Sequence, residues 1–114
     1  MRRLAATLIV GAAAFGGVAC GPAPAAIPVV ELTIDELHRA LRSGATTCRL
    51  VVESHLDRIA AYDAELGAIT VTNPRALDVA DSLDAAIAGG AEPGPLHCAP
   101  LLVKDNFDTS DLVT

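Results

Sequence analysis

Tryptophan is absent from this 114-residue chain, and aromatic residues make up only 3% of it. A core built on stacked rings is thereby excluded, so Leu, Val, Ile and Ala must supply the buried surface. Positive charge is also scarce. Eight Lys and Arg face 14 Asp and Glu, for a formal net charge of -6. No basic patch exists to track phosphates, which argues against a nucleic-acid partner. Lys104 is the only lysine, every other basic residue being Arg. Cysteine is limited to Cys20, Cys48 and Cys98, and histidine to His38, His55 and His97. These six show no metal-ligand spacing, so no metal site is expected.

The N-terminus has the anatomy of an export signal. Arg2 and Arg3 form a positive start, residues 4–15 an apolar run, and Gly16, Gly17, Val18 and Ala19 a small-residue stretch. The run is shorter than the ~20 residues a membrane-spanning helix needs. Cys20 follows Val18-Ala19 in a way that resembles the bacterial lipobox, in which the cysteine thiol is acylated. Gly17 stands where that pattern favours Leu, and ordinary secretory cleavage is the alternative. Residues 1–20 are accordingly expected to be a lipoprotein-type signal, with Cys20 the lipid attachment site. Residues 21–31, rich in Pro and Ala, are expected to be an extended tether. The protein would then sit in the bacterial cell envelope, held to the membrane by its lipid. In such a compartment Cys48 and Cys98 could pair if their Cα atoms lie close; two free core residues are the other reading.

Residues 32–114 alternate helix and strand signals. Thr33 and Glu36 form a capping box ahead of a helix over 34–43, which carries Ile34, Leu37 and Leu41 at helical spacing and ends at Gly44. Thr46 or Thr47 caps a second helix running to about Tyr62, with Val52, Leu56, Ile59 and Tyr62 on its apolar stripe and His55 beside it as a half-buried packing residue. The β-branched run 68–72 predicts a strand. Asn73 and Pro74 predict the N-cap and first residue of a third helix, which ends at Gly89-Gly90. Pro100-Leu101-Leu102-Val103 reads as a short buried strand. Strand, helix and strand make a βαβ unit with two parallel strands, too few for a stable sheet, so the pattern reads as the opening of a larger α/β domain.

Lys104 directly follows the second expected strand. A lysine stripped of water there favours its neutral form and can take a proton from a serine hydroxyl. Most strand-end lysines instead reach to water or pair with a carboxylate such as Asp105. The surrounding residues decide between these readings. Pro95-Leu96-His97-Cys98-Ala99-Pro100-Leu101-Leu102-Val103-Lys104-Asp105-Asn106-Phe107-Asp108-Thr109 resembles the amidase-signature family, which typically reads P-L-H-G-(I/V)-P-(I/V/F)-x-(V/I/L)-K-D-N-(I/F/L)-D-T at this place. Leu32-Thr33-Ile34-Asp35-Glu36-Leu37 and Thr72-Asn73-Pro74-Arg75-Ala76 are similar to the family too, and the likeness covers residues 32–114.

The resemblance implies a single α/β domain with a mixed sheet covered by helices. It implies hydrolysis of carboxylic amides on a small-molecule substrate through an acyl-enzyme, without cofactor or metal. Lys104 matches the family's catalytic base, which acts on a serine held by a cis peptide bond and, through it, on a nucleophilic serine. Both serines lie downstream of the lysine in the family, and Ser43, Ser54, Ser82 and Ser110 match neither. The chain is therefore expected to be an inactive N-terminal fragment of an exported amidase. A non-catalytic lipid-anchored remnant is the first alternative. The glutaminase subunit of a tRNA amidotransferase is a second, disfavoured by the export signal and the acidity. Asp105 and Asn106 are expected to order the lysine's loop, and His97 to be structural. Cys98 and Ala99 depart from the pattern. If the family's Gly serves a backbone angle open only to glycine, Cys98 costs stability there.

Overall fold

The computed structural model describes residues 21–107, 109, 110 and 112. The expected signal at 1–20, with Cys20, lies outside them. Three helices follow one another: α1, Ile34–Ser43; α2, Cys48–Leu66; and α3, Ala76–Ala88. None is long and apolar enough to cross a membrane.

Helix α1 begins and ends where its sequence signals lie. The Thr33 hydroxyl accepts from the Glu36 amide at 3.2 Å, and the Glu36 carboxylate accepts from the Thr33 amide at 3.0 Å. Two of the amides that a helix start leaves unpaired are thus satisfied by side chains. The Thr33 amide, and after it the Thr33 hydroxyl donating at 2.8 Å, hold the Glu36 carboxyl below its usual range. Gly44 closes the helix in a left-handed conformation, φ 72°. The expected tether touches this corner once, the Ala25 amide donating to the Ala45 carbonyl at 3.0 Å.

Helix α2 starts at Thr47, whose hydroxyl accepts from the Leu50 amide at 3.2 Å. Its first turn contains no acidic residue of its own. Asp84 of α3 supplies one instead: its carboxylate accepts from the amides of Cys48 at 2.8 Å and Arg49 at 3.1 Å. A negative group at a helix N-terminus pairs its free amides and its positive dipole end together. Arg49 then bridges to Glu53 on its own helix and to Asp81 on α3. These contacts join the start of α2 to the later part of α3, so the two helices run antiparallel as a hairpin.

Helix α2 runs four residues beyond the expected end at Tyr62. Tyr62 is the last residue of its apolar stripe, but nothing in Asp63-Ala64-Glu65-Leu66 breaks a helix. The stop is Gly67, left-handed at φ 59°, with the Asp63 carboxylate receiving the amides of Ala68 and Ile69. Helix α3 corrects its expected start. Asn73 is not its N-cap; the Asn73 side chain accepts from the Arg75 amide at 2.8 Å in a turn one step ahead, and the helix begins at Ala76 behind Arg75. Asparagine bonding its own backbone two residues on forms such a turn as readily as it caps a helix.

The core is small. Leu37, Thr46, Cys48, Val51, Ala80 and Cys98 are buried, with Leu41, Val52 and Leu83 packed partly against it. Among the described residues there is no strand. Residues 68–72 and 100–103, expected as parallel strands, are irregular. A strand needs a neighbour to satisfy its amides, and here neither segment bonds to the other. Leu101, Leu102 and Val103 are 69%, 81% and 57% exposed. Burial on both faces, which an apolar run of this kind implies, is not provided by the three helices alone.

Candidate active site

Lys104 opens a tight turn, its carbonyl accepting from the Phe107 amide at 2.9 Å. That turn carries Asp105 and Asn106. Lys104 is exposed, and among the described residues it forms no ion pair. The pairing with Asp105 weighed from sequence is not made. Lys104 lies on the wall of an open groove of about 560 Å³ that also holds Ile69, Val71, Leu102 and Phe107. The two expected strand segments thus flank the lysine, and a surface laid over the groove would strip it of water.

No serine lines this groove among the described residues. The hydroxyls of Ser43, Ser54 and Ser82 donate to carbonyls of their own helices. Helical serines bonded backward in this way are ordinary surface residues. A second and larger groove, about 810 Å³, runs between the helix hairpin and residues 96–102. Its wall is the apolar stripe of α2, Val52, Leu56, Ile59 and Tyr62, together with Val79 and Leu83 of α3. His55 stands half-buried beside it, and burial, then the nearby Arg58 charge, lowers its pKa.

The segment leading to Lys104 is held at the other end of this groove. Two turns follow in succession, with the His97 amide donating to the Gly94 carbonyl and the Ala99 amide to the Leu96 carbonyl, each at 3.1 Å. Cys98 is the third residue of the second turn and has φ 60°. Positive φ at that position marks a type II turn, where glycine is the usual occupant. The backbone angle at Cys98 is thus one that favours glycine, although it is not closed to other residues. For a side chain with Cβ the left-handed conformation costs about 1–2 kcal/mol.

Cys98 is bonded to Cys48 as a disulfide, Cα atoms 5.1 Å apart and 50 residues separated in sequence. Of the two readings left open for these cysteines, the structure takes the paired one. By loop-closure entropy a link of that span stabilises by about 4 kcal/mol, which exceeds the cost of the strained turn. His97 flanks the bond, its Nε2 3.9 Å from the Cys48 sulfur, while its carbonyl accepts from His38 Nε2 at 3.1 Å. Sequence spacing gave no sign of this cluster, because its members come from α2 and a turn far downstream. The replacement of the expected glycine by Cys98 was the one available signal. Cys48, His97 and Cys98 bring three metal-binding atoms within 4.8 Å of one another. Metal ligation requires the thiolates, and the disulfide consumes both.

These positions can be set against known proteins. A model of the Amidase family matches residues 50–114, which include both turns and Lys104. The chain belongs to the amidase family. An amidase so named in Schizosaccharomyces pombe is 38% identical over 85 residues, 75% of this chain and 15% of that protein. A glutamyl-tRNA(Gln) amidotransferase subunit from Nocardia farcinica is 42% identical over 84 residues, 72% of this chain and 17% of its own. The indoleacetamide hydrolase of Bradyrhizobium diazoefficiens is 38% identical over 82 residues, covering 71% and 16% respectively. The chain therefore spans between 15% and 17% of the length of these amidase relatives. No solved structure matches it.

Proposed function

We propose that residues 32–114 are the N-terminal portion of an exported amidase domain in which Lys104 is the general base for hydrolysis of carboxylic amides. The observation that carries this reading is Lys104 itself, which stands within the long family motif and begins the turn on the groove wall. In the complete domain, residues 68–72 and 100–103 pair as parallel strands of a mixed sheet. Further chain covers the two apolar grooves, and Lys104 loses its water. A desolvated amine gives up its proton more readily and becomes a usable base.

The chemistry then runs through two serines outside residues 32–114. The neutral amine of Lys104 takes the proton of a serine held by a cis peptide bond, and that serine takes the proton of the nucleophile. The nucleophilic oxygen attacks the amide carbonyl, the amine leaves with a proton, and water hydrolyses the acyl-enzyme. Asp105 and Asn106 hold the turn. Cys20, its thiol acylated and its amine the mature N-terminus, anchors the protein in the cell envelope.

A graft tests the reading. Residues 32–114 replace the matching segment of the Bradyrhizobium indoleacetamide hydrolase, and hydrolysis of indoleacetamide is measured. The graft is expected to be active, and Lys104→Ala to lower kcat/KM by about 10³-fold or more. A folded graft with no activity, or one indifferent to Lys104→Ala, rejects the assignment of the base and leaves an anchored, non-catalytic role. The 42% identity to an amidotransferase subunit favours a second reading, a glutaminase subunit. The same graft into the Nocardia farcinica protein, assayed for glutamine hydrolysis, discriminates the two. Activity there and none in the hydrolase graft selects the glutaminase reading.

A further inference from the structure

We infer that the Cys48–Cys98 disulfide positions the Lys104 loop, so that hydrolysis by this domain depends on oxidation of the pair. Three features carry the inference. Cys98 occupies the third position of the turn over residues 96–99 at φ 60°, where a residue with Cβ is strained and glycine is not. Its sulfur is tied to Cys48, the buried first residue of α2, whose amide is itself held by Asp84. From Pro100 to Lys104 the chain is exposed and irregular, with no bond to another element among the described residues. Among the described residues the disulfide, the His38 bond to the His97 carbonyl and the contact of His97 Nε2 with the Cys48 sulfur are therefore the long-range ties on this approach to the lysine. With the covalent tie cut, the turn is free to relax its strain and the lysine moves with it.

The redox step is a two-electron exchange. Oxidation removes one electron and one proton from each thiol and forms the sulfur–sulfur bond, while a protein or small-molecule disulfide is reduced to two thiols. A dithiol reductant runs the step backward. Both sulfurs are buried, so the bond opens only where local fluctuation admits the reductant, and it persists in an oxidising compartment.

The inference rests on Lys104 being the base, and its test keeps the two claims apart. In the 114-residue chain, hydrogen exchange of the Ala99 amide is compared in the oxidised and dithiothreitol-reduced forms. In the active graft, kcat and KM are measured in the same two states for Cys98 and for Cys98→Gly and Cys98→Ala. Reduction is expected to speed exchange of the Ala99 amide and, at a misplacement near 1 Å, to lower kcat by on the order of 10–100-fold with little change in KM. Cys98→Gly is expected to abolish the response to reductant, because glycine holds the turn without the tie. Cys98→Ala, which keeps the strain and loses the tie, is expected to stay slow in both states. A purely stabilising disulfide would instead make the glycine and alanine variants alike in kcat. That outcome, or equal exchange and equal kcat in the two states, overturns the inference and leaves the amidase reading intact. A folded graft inactive in both states removes the amidase reading, and the exchange data then decide the tie alone.

Discussion

Helix α1 satisfies its first amides with Thr33 and Glu36 and closes on Gly44, all within a dozen positions of sequence. Residues 100–103 are as apolar as any helix here, yet their amides reach no ladder and their side chains lie in the open. The difference is where the partners are. A helix finds its hydrogen bonds four residues away, and a strand finds them on another segment. A helix can therefore stand with little help, while a strand depends on a partner segment. The α2–α3 hairpin adds a middle case, since Asp84 caps α2 from another element.

The largest effect that would sharpen this contrast concerns the open side. Covering the grooves should make Lys104 indispensable, which the loss of about 10³-fold in kcat/KM for the grafted Lys104→Ala variant measures. Next come the contacts that tie the open segment to the helices. Reducing the Cys48–Cys98 bond should cost about 2–5 kcal/mol in urea unfolding, though Cys98→Gly returns part of this through the relaxed turn. On the helical side, Val51→Ala empties a fully buried site and should cost about 2 kcal/mol, read from the same transition. Asp84→Ala should cost about 1–2 kcal/mol, more than an ordinary surface substitution, and should lower helicity by circular dichroism. A cost no larger than that of Asp78→Ala, which lies in α3 away from the α2 start, would break the claim of capping between helices.

The smallest effects are set by pH. His55 has a lowered pKa in the folded chain, so its stabilising contribution is full above the unfolded value near 6.5 and fades as pH falls through the lowered one. Unfolding measured between pH 7.5 and 5 should show this slope, and His55→Gln should flatten it. Glu36 is lowered as well, so the capping box persists above the ordinary carboxylate range and fails only as pH drops below it. Thr33→Ala should remove that acid dependence at a cost of about 1 kcal/mol at neutral pH.

Legibility in the sequence followed the same division. The Thr33–Glu36 box and Gly44 fixed α1 to the residue, because every partner lies within a few positions. Thr47 was one of two candidates for the cap of α2, and its far end at Leu66 needed Gly67 and Asp63 rather than the apolar stripe. Asn73 misled, since one side chain serves a turn or a cap equally well. The Cys48–Cys98 pair was open in the sequence because proximity across 50 residues is a property of packing. The family motif made Lys104 and its neighbours readable at once, and glycine's absence at position 98 foretold the strained turn. The bond that compensates for it was not foretold. Residues 68–72 and 100–103 carry strand composition, yet among the described residues neither finds a ladder partner.

The strained turn also makes the two cysteines unequal under single substitution. Starting from glycine at position 98, a cysteine there first bears the left-handed cost with nothing to bond, whereas a cysteine at position 48 first is only a small buried residue. Once both are present, losing Cys48 alone leaves Cys98 strained and unpaired, while replacing Cys98 by glycine leaves a harmless thiol. The turn thus makes loss of Cys48 the costlier single change and replacement of Cys98 by glycine the cheaper one.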